Sequence, residues 1–196
     1  AALLGERRVT AVGALVELLL SHDSVSTACT ADGGSIVHAA AAKRGSSLEA
    51  IVPLLGRLGV ALEGTDRRGR TALHIAVASE TSDPSALLTL LRAGVTPEAR
   101  TAEGCSALEL AVRAGSLRSI VALLQVGADA NAPASDGSPL LVIAAECSMA
   151  ASVALLEAGA RVNCVDARGR TPLGAAVARG DVELAELLVK RDAQLG

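Results

Sequence analysis

Phenylalanine, tyrosine and tryptophan are absent from all 196 residues. A core without aromatic rings has to be closed by Leu, Val, Ile and a large share of Ala, which suits helices packed at short distances. Strands are enriched in aromatic and β-branched residues, so a sandwich or barrel is disfavoured. Lysine is nearly missing as well: of 18 basic residues only Lys43 and Lys190 are lysines. The net charge of -3 removes any global attraction to nucleic acid or to an anionic membrane, and a basic patch has to be local. The four cysteines, Cys29, Cys105, Cys147 and Cys164, show no CxxC and no Cys/His pairing at metal spacing. They read as buried reduced thiols of a cytoplasmic or nuclear protein, with disulfides the weaker reading. The chain begins with Ala rather than Met, as a fragment or domain would, so a missing signal peptide at residue 1 carries no weight.

What is present is repetition. The stretch DRRGRTALHIAV at 66–77 returns as DARGRTPLGAAV at 166–177. Aligned on a Ser or Thr followed by small or apolar residues, the anchors Ser35, Thr71, Ser106, Ser138 and Thr171 lie 36, 35, 32 and 33 residues apart. A second anchor, LL-x-x-G or a variant, ends each unit at Asp23, Gly59, Gly94, Gly127, Gly159 and Asp192, with spacings of 36, 35, 33, 32 and 33. A fixed period of this size marks a stack of small units that share one core.

Each unit has a physical logic. Asp66 accepts backbone hydrogen bonds in a tight turn, Gly69 takes a conformation other residues resist, and Thr71 caps a helix. Thr171-Pro172 makes the same start, with proline where its missing N–H costs nothing. A first helix runs through Leu73, Ala76 and Val77, or Leu108, Ala111 and Val112, and stops near Gly115 or Gly180. A second carries IVALL at 120–124, VALL at 153–156 and LAELLV at 184–189. The apolar run at 139–156 approaches the length of a membrane span, but the period divides it into two short helices.

The motifs TALHIA (71–76), TPLGAA (171–176), SALELA (106–111), GADAN (127–131) and GARVN (159–163) resemble ankyrin repeats, and the resemblance covers about residues 30 to 196. It implies an all-α ankyrin-repeat solenoid of stacked helix-turn-helix units with short β-turn fingers. The expected organisation is a single domain over 1–196, with a partial or degenerate repeat at 1–29 and units at 30–65, 66–100, 101–133, 134–165 and 166–196. Departures are expected at three places. Extra residues surround KRGSS (43–47) and Pro53 sits inside a second helix. Asp83-Pro84 restarts a helix after an insertion in ETSDPS (80–85). The turn of SDGSPLL (135–141) reads one residue short.

No catalytic constellation emerges. Neither GxxxxGK[ST] nor GxGxxG is present, and no nucleophile arrangement is proposed. Of His22, His38 and His74, the last two hold the fourth motif place, where the resemblance implies a structural hydrogen bond between neighbouring loops. Asn131 and Asn163 stand where family members are hydroxylated in animals, but loop stabilisation is the stronger reading. The chain is expected to be no enzyme, with no cofactor, no small-molecule substrate and no membrane insertion.

Recognition remains. The resemblance implies that partners are held by variable residues at turn tips and along the exposed side of the first helices. These places carry Lys43, Arg44, Arg67, Arg68, Arg70, Arg113, Arg168, Arg170 and Arg179, nine cations against Asp32, Glu103, Asp136 and Glu146. The expected partner is another protein, through an acidic or phosphorylated peptide or loop gripped by forked guanidinium groups. The alternatives are a structural spacer or intramolecular packing module in a longer repeat protein, and nucleic-acid binding, against which the missing aromatic stackers weigh.

Overall fold

Five-residue turns organise the chain. At 66–70 the Asp66 N–H donates to the Arg70 carbonyl at 2.9 Å and the Gly69 N–H donates back to the Asp66 carbonyl at 2.9 Å. Gly69 closes the loop at φ 69°, a left-handed conformation costly for any residue with a Cβ. The pattern returns at 101–105, 134–138 and 166–170, with Gly104, Gly137 and Gly169 in the same role. Between turns the chain is helical, as a computed structural model of the protein describes for residues 33–42, 51–53, 55, 61–79 and 85–191. Lys43, Arg44, Cys29, His22, the segment 1–29 and the insertions at 43–47 and 80–84 lie outside the described residues.

Among the described residues there are nine helices: α1 (Ile36–Ala42), α2 (Ala72–Ser79), α3 (Ser85–Arg92), α4 (Ala107–Ala114), α5 (Leu117–Gln125), α6 (Leu140–Cys147), α7 (Met149–Glu157), α8 (Pro172–Arg179) and α9 (Val182–Lys190). Residues 51–53, Pro53 included, are also helical. Extended structure among the described residues is limited to the single antiparallel bridges Arg100–Ser106 and Pro133–Pro139, which close two of the turn fingers.

Side chains set the helix limits. Ser106 Oγ accepts from the Glu109 N–H at 3.1 Å, and Thr171 Oγ1 from the Gly174 N–H at 3.0 Å. Ser148 ends α6 and caps α7, accepting from the Ala151 N–H at 3.3 Å, which divides the apolar run at 139–156. Gly115 and Gly180 terminate α4 and α8 in the left-handed conformation. No described helix is long and apolar enough to cross a membrane.

The turn at 134–138 corrects the expected register. It has the full length of the others, and the cap of α6 is Pro139, with an extended backbone and no side-chain cap, rather than Ser138. Ser138-Pro139 imitates the Thr171-Pro172 start, but Gly137 fixes the loop one residue later. Asp136 replaces the missing first-place aspartate by accepting from the Ser138 N–H at 2.9 Å. With Pro139 as anchor the spacings become 35, 33 and 32, matching those of the second anchor.

By internal contact the chain divides into two units, Ala1–Thr96 and Pro97–Gly196. In the first, α1 packs on α2 and α2 on α3. In the second, α4, α6 and α8 form one layer, α5 packs on α7 behind it, and each first helix packs on its own second helix. Ala76, Ala107, Ala111, Ala144 and Ala176 are fully buried, so alanine does set the short helix spacing. Leu55, Leu73, Leu87 and Leu90 close the first core; Ile120, Leu123, Leu140, Leu155, Leu184 and Leu188 close the second.

Candidate functional site

The fourth motif place links one turn to the next. His38 Nδ1 accepts from the Ser35 N–H at 3.0 Å, which leaves the proton on Nε2, and Nε2 donates to the Arg70 carbonyl of the following turn at 2.8 Å. His74 Nδ1 accepts from the Thr71 N–H at 3.2 Å. In the next unit the place is taken by Glu109, whose side chain is fully buried. Its carboxylate accepts from the Ser135 N–H at 2.8 Å and the Ser135 hydroxyl at 2.7 Å, and it pairs with Arg113 at 3.0 Å. Val142 follows, fully buried, and then Gly174. The position of Glu109 in SALELA, where TALHIA has His74, was the signal for its role.

A second ladder runs along the segments after each second helix. Glu63 accepts from the Thr96 hydroxyl and from its N–H at 3.0 Å, and these bonds hold the Glu63 carboxyl below its ordinary range. Glu98 accepts from the Asp129 N–H at 3.2 Å. Asn131 accepts from the Arg161 N–H at 2.8 Å and donates to the Gly159 carbonyl at 3.1 Å. This loop-bridging geometry is the structural role expected for that asparagine.

The arginines divide by place in the turn. Arg70 reaches back to Asp66 through Nε at 2.8 Å and Nη2 at 2.7 Å, and Arg170 reaches Asp166 at 2.7 Å through both atoms. Burial, the largest influence on Asp66, opposes its charge. The Arg70 N–H, the Arg70 guanidinium, the Arg68 N–H and the Arg70 charge outweigh it and leave its pKa lowered. Arg170 also pairs through Nη1 with Glu146 at the end of α6. Arg113 lies between Glu109 and Asp136, the latter at 3.3 Å. Burial opposes its charge, but the two carboxylates outweigh burial and raise its pKa. Asp136 is held below its usual pKa by the Ser138 N–H and hydroxyl, with Arg113 adding to the effect. Arg179 pairs with Asp181 at 3.2 Å.

Arg67 is exposed, its stem lying over Gly33, where an added Cβ would come within 2.8 Å of Arg67 Cγ. Arg68 and Arg168 hold the same turn place, are exposed, and use only their backbone N–H groups within the turn, each donating to the first-place aspartate at 2.9 Å. Arg100, which the sequence reading passed over, staples neighbouring fingers by donating to the Gly104 carbonyl at 2.7 Å and the Pro133 carbonyl at 3.0 Å.

An open cleft of about 470 Å³ lies beside the last turn, between Glu146 of α6 and Arg179 of α8, with Arg170 on its rim and Ala175 and Ala178 among its lining. A more apolar hollow of about 540 Å³ is lined by Leu173, Val177, Val182 and Val189. Among the described residues no group of three His, Cys, Asp or Glu side chains is placed to hold a metal ion. Cys105, Cys147 and Cys164 are free thiols, but against the expected burial Cys147 at the end of α6 is exposed and the other two are half-buried; burial pushes the Cys164 thiol up.

A family model described as Ankyrin repeats (3 copies) matches residues 40–136 and 108–196. The chain is 35% identical over 157 residues to the B-cell lymphoma 3 protein homolog of Mus musculus, covering 77% of this chain and 35% of that protein. It is 36% identical over 137 residues to the Mus musculus Nuclear factor NF-kappa-B p105 subunit, covering 67% and 14%. With the Neurogenic locus notch homolog protein 2 of Homo sapiens it shares 35% over 131 residues, covering 66% and 5%. The chain thus spans about a third, or less, of the length of these curated relatives. The recurring glycine turns, paired helices and fourth-place hydrogen bonds agree with the family match: the chain belongs to the ankyrin-repeat family.

Proposed function

We propose that this chain is a noncatalytic binding module for an acidic or phosphorylated segment of another protein, acting in the cytoplasm or nucleus. Ankyrin repeats are protein–protein interaction modules, and their members are generally noncatalytic. The observation that carries the finer reading is the state of Arg68 and Arg168. Both guanidinium groups stand exposed at a turn tip with no carboxylate bound among the described residues, so neither loses an ion pair there when it engages a partner. Arg67 flanks Arg68 and Arg170 flanks Arg168, each within its own unit, and Lys43, Arg44, Arg113 and Arg179 complete the set of expected binding residues. Exposed arginine provides planar, bidentate recognition of carboxylate and phosphate at a turn tip.

The test is an immobilised array of peptides carrying Glu, phosphoserine or their neutral counterparts, probed with wild-type protein and with the Arg68→Glu/Arg168→Glu variant. Retention of acidic over neutral peptides, lost at least tenfold in the variant with an unchanged far-UV circular dichroism spectrum, supports the reading. Equal retention by wild type and variant refutes it. One observation favours the alternative of a packing module: Val177, Val182 and Val189 are 57%, 66% and 57% exposed around the apolar hollow.

A further inference from the structure

We propose that Thr96 is a phosphoacceptor site for a proline-directed protein kinase, and that its phosphate opens the link by which Glu63 holds the loop after α3. The sequence contains three Ser/Thr-Pro dipeptides, Thr96-Pro97, Ser138-Pro139 and Thr171-Pro172. Their surroundings separate them. Thr171 is buried, and its Oγ1 caps α8 by accepting from the Gly174 N–H. Ser138 is half-buried and closes a turn finger: its carbonyl accepts from the Ala134 N–H at 2.9 Å, and Asp136 accepts from both its N–H and its hydroxyl. Thr96 is exposed, and it belongs to no helix cap and no turn finger. It lies in the segment 93–99, between the end of α3 and the bridge at Arg100. Pro97 keeps the residue before it out of the helical region, so a kinase that draws Thr96 into its cleft has no helix to melt.

The consequence follows from what Thr96 holds now. Its hydroxyl and its N–H, the latter at 3.0 Å, both donate to the exposed carboxylate of Glu63. Phosphoryl transfer joins Thr96 Oγ1 to the γ-phosphorus of ATP, breaks the bond from that phosphorus to the departing ADP, and passes the hydroxyl proton to the kinase's base. One of the two donors to Glu63 is then gone. In its place a group carrying a charge of about -1.5 to -2 stands against a carboxylate. The next link of the ladder shows what an anion does at this place. There Asp129 faces Glu98, and Glu98 accepts from the backbone N–H alone among the described residues, at 3.2 Å. The Asp129 carboxylate turns instead to the Asn131 N–H, at 2.8 Å. Phosphorylation therefore reduces the two-bond link at Thr96 to the single, longer bond seen at Asp129, or removes it.

The test is incubation of the full chain with MgATP and the catalytic domain of a proline-directed Ser/Thr kinase, with the modified residue mapped by mass spectrometry. One phosphate is expected, on Thr96, and none on Ser138 or Thr171; Thr96→Ala should take up none. In the phosphorylated protein, hydrogen exchange at the Thr96 amide should accelerate by about 2- to 10-fold, the loss of one hydrogen bond of ordinary net strength, while the helical spectrum is kept. Glu63→Gln leaves an acceptor in place but removes the opposed charge, so phosphorylation should accelerate exchange less in this variant than in wild type. A folded chain that takes no phosphate on Thr96, or takes it on Ser138 or Thr171 instead, overturns the proposal. So does a phosphorylated Thr96 whose amide exchanges at the unmodified rate. Equal acceleration in Glu63→Gln and wild type means that the phosphate acts on the amide without Glu63, and overturns the opening of the link.

Discussion

Replacing Glu109 with alanine removes a carboxylate that is fully buried and joins two units of the repeat. Three donors lose their acceptor: the Ser135 N–H at 2.8 Å, the Ser135 hydroxyl at 2.7 Å and Arg113 Nε at 3.0 Å. A hydrogen bond to a charged group contributes about 1.5–3 kcal/mol, and the three do not add, because Ser135 and Arg113 are exposed enough for water to take over part of the bonding. The expected loss for Glu109→Ala is about 2–4 kcal/mol. Glu109→Gln keeps the shape and an acceptor for Ser135 but turns an uncharged amide toward Arg113, for an expected loss of about 1–2 kcal/mol. Glu109→His puts into this unit the side chain that His38 uses to reach the next turn, and should be milder than alanine.

Urea unfolding followed by far-UV circular dichroism is the suitable assay, since a chain without Trp or Tyr offers no intrinsic fluorescence. With a slope of roughly 2–3 kcal/mol/M, a loss near 3 kcal/mol moves the midpoint by about 1–1.5 M. A double-mutant cycle with Ser135→Ala isolates the link, and a coupling of about 1–2 kcal/mol is expected. A loss below about 0.5 kcal/mol for Glu109→Ala, or strict additivity with Ser135→Ala, would refute the assignment of Glu109 as a structural link.

Three further outcomes follow from the same geometry. Asn131→Ala should cost about 0.5–1.5 kcal/mol and accelerate hydrogen exchange at the Arg161 amide, which loses its 2.8 Å acceptor; unchanged exchange contradicts the bridge. Val112→Ala empties a fully buried site and should cost about 1.5–3 kcal/mol, whereas Val177→Ala, at the same motif place but 57% exposed, should stay within about 0.5 kcal/mol by urea unfolding. Equal losses would mean that Val177 is covered in solution. Asp66 and Asp136 have lowered pKa values, so the stability they contribute is complete above the unfolded carboxylate value near about 4 and is lost as pH falls through the lower folded values. Midpoints measured across the acid range should fall below about pH 4, and a midpoint that rises on acidification contradicts the ion pairs.

Much of the fold was legible because each unit repeats the same local chemistry. Gly69, Gly104 and Gly169 marked turns, Thr71 and Thr171 marked helix starts, and two anchors gave the period. The slip in the repeat register was Ser138, which carries the composition of a cap while the cap geometry belongs to Pro139. The second anchor already held the right spacing, so a glycine-led register would have avoided it. The linking residues were harder to read. His38 was legible as one of a motif, but Glu109 fills its place with a different functional group, and a carboxylate in a mostly apolar helix looks like a solvated face until its burial is known.

The arginines show where sequence patterning contained more than the count of cations conveyed. The fifth place of each turn looks variable, with Arg70, Cys105, Ser138 and Arg170, but it varies together with the first place: Asp66 and Asp166 have arginine opposite them, while Thr101 and Ala134 do not. The covariation is an internal ion pair, Nε and Nη2 of the arginine on one carboxylate oxygen, and the aspartate's other oxygen takes two N–H groups of its own turn. Arginine at the fifth place therefore has a structural partner in the two described turns that aspartate opens. Arginine at the third place, Arg68 and Arg168, has no such partner among the described residues. Charge reversal at Arg70 would break a turn and weaken binding for a structural reason, which makes it a poor probe of recognition. Charge reversal at Arg68 and Arg168 leaves the Asp66 and Asp166 bonds in place, because these two arginines reach the aspartates only through their backbone N–H groups, and a loss of binding there reports on the partner.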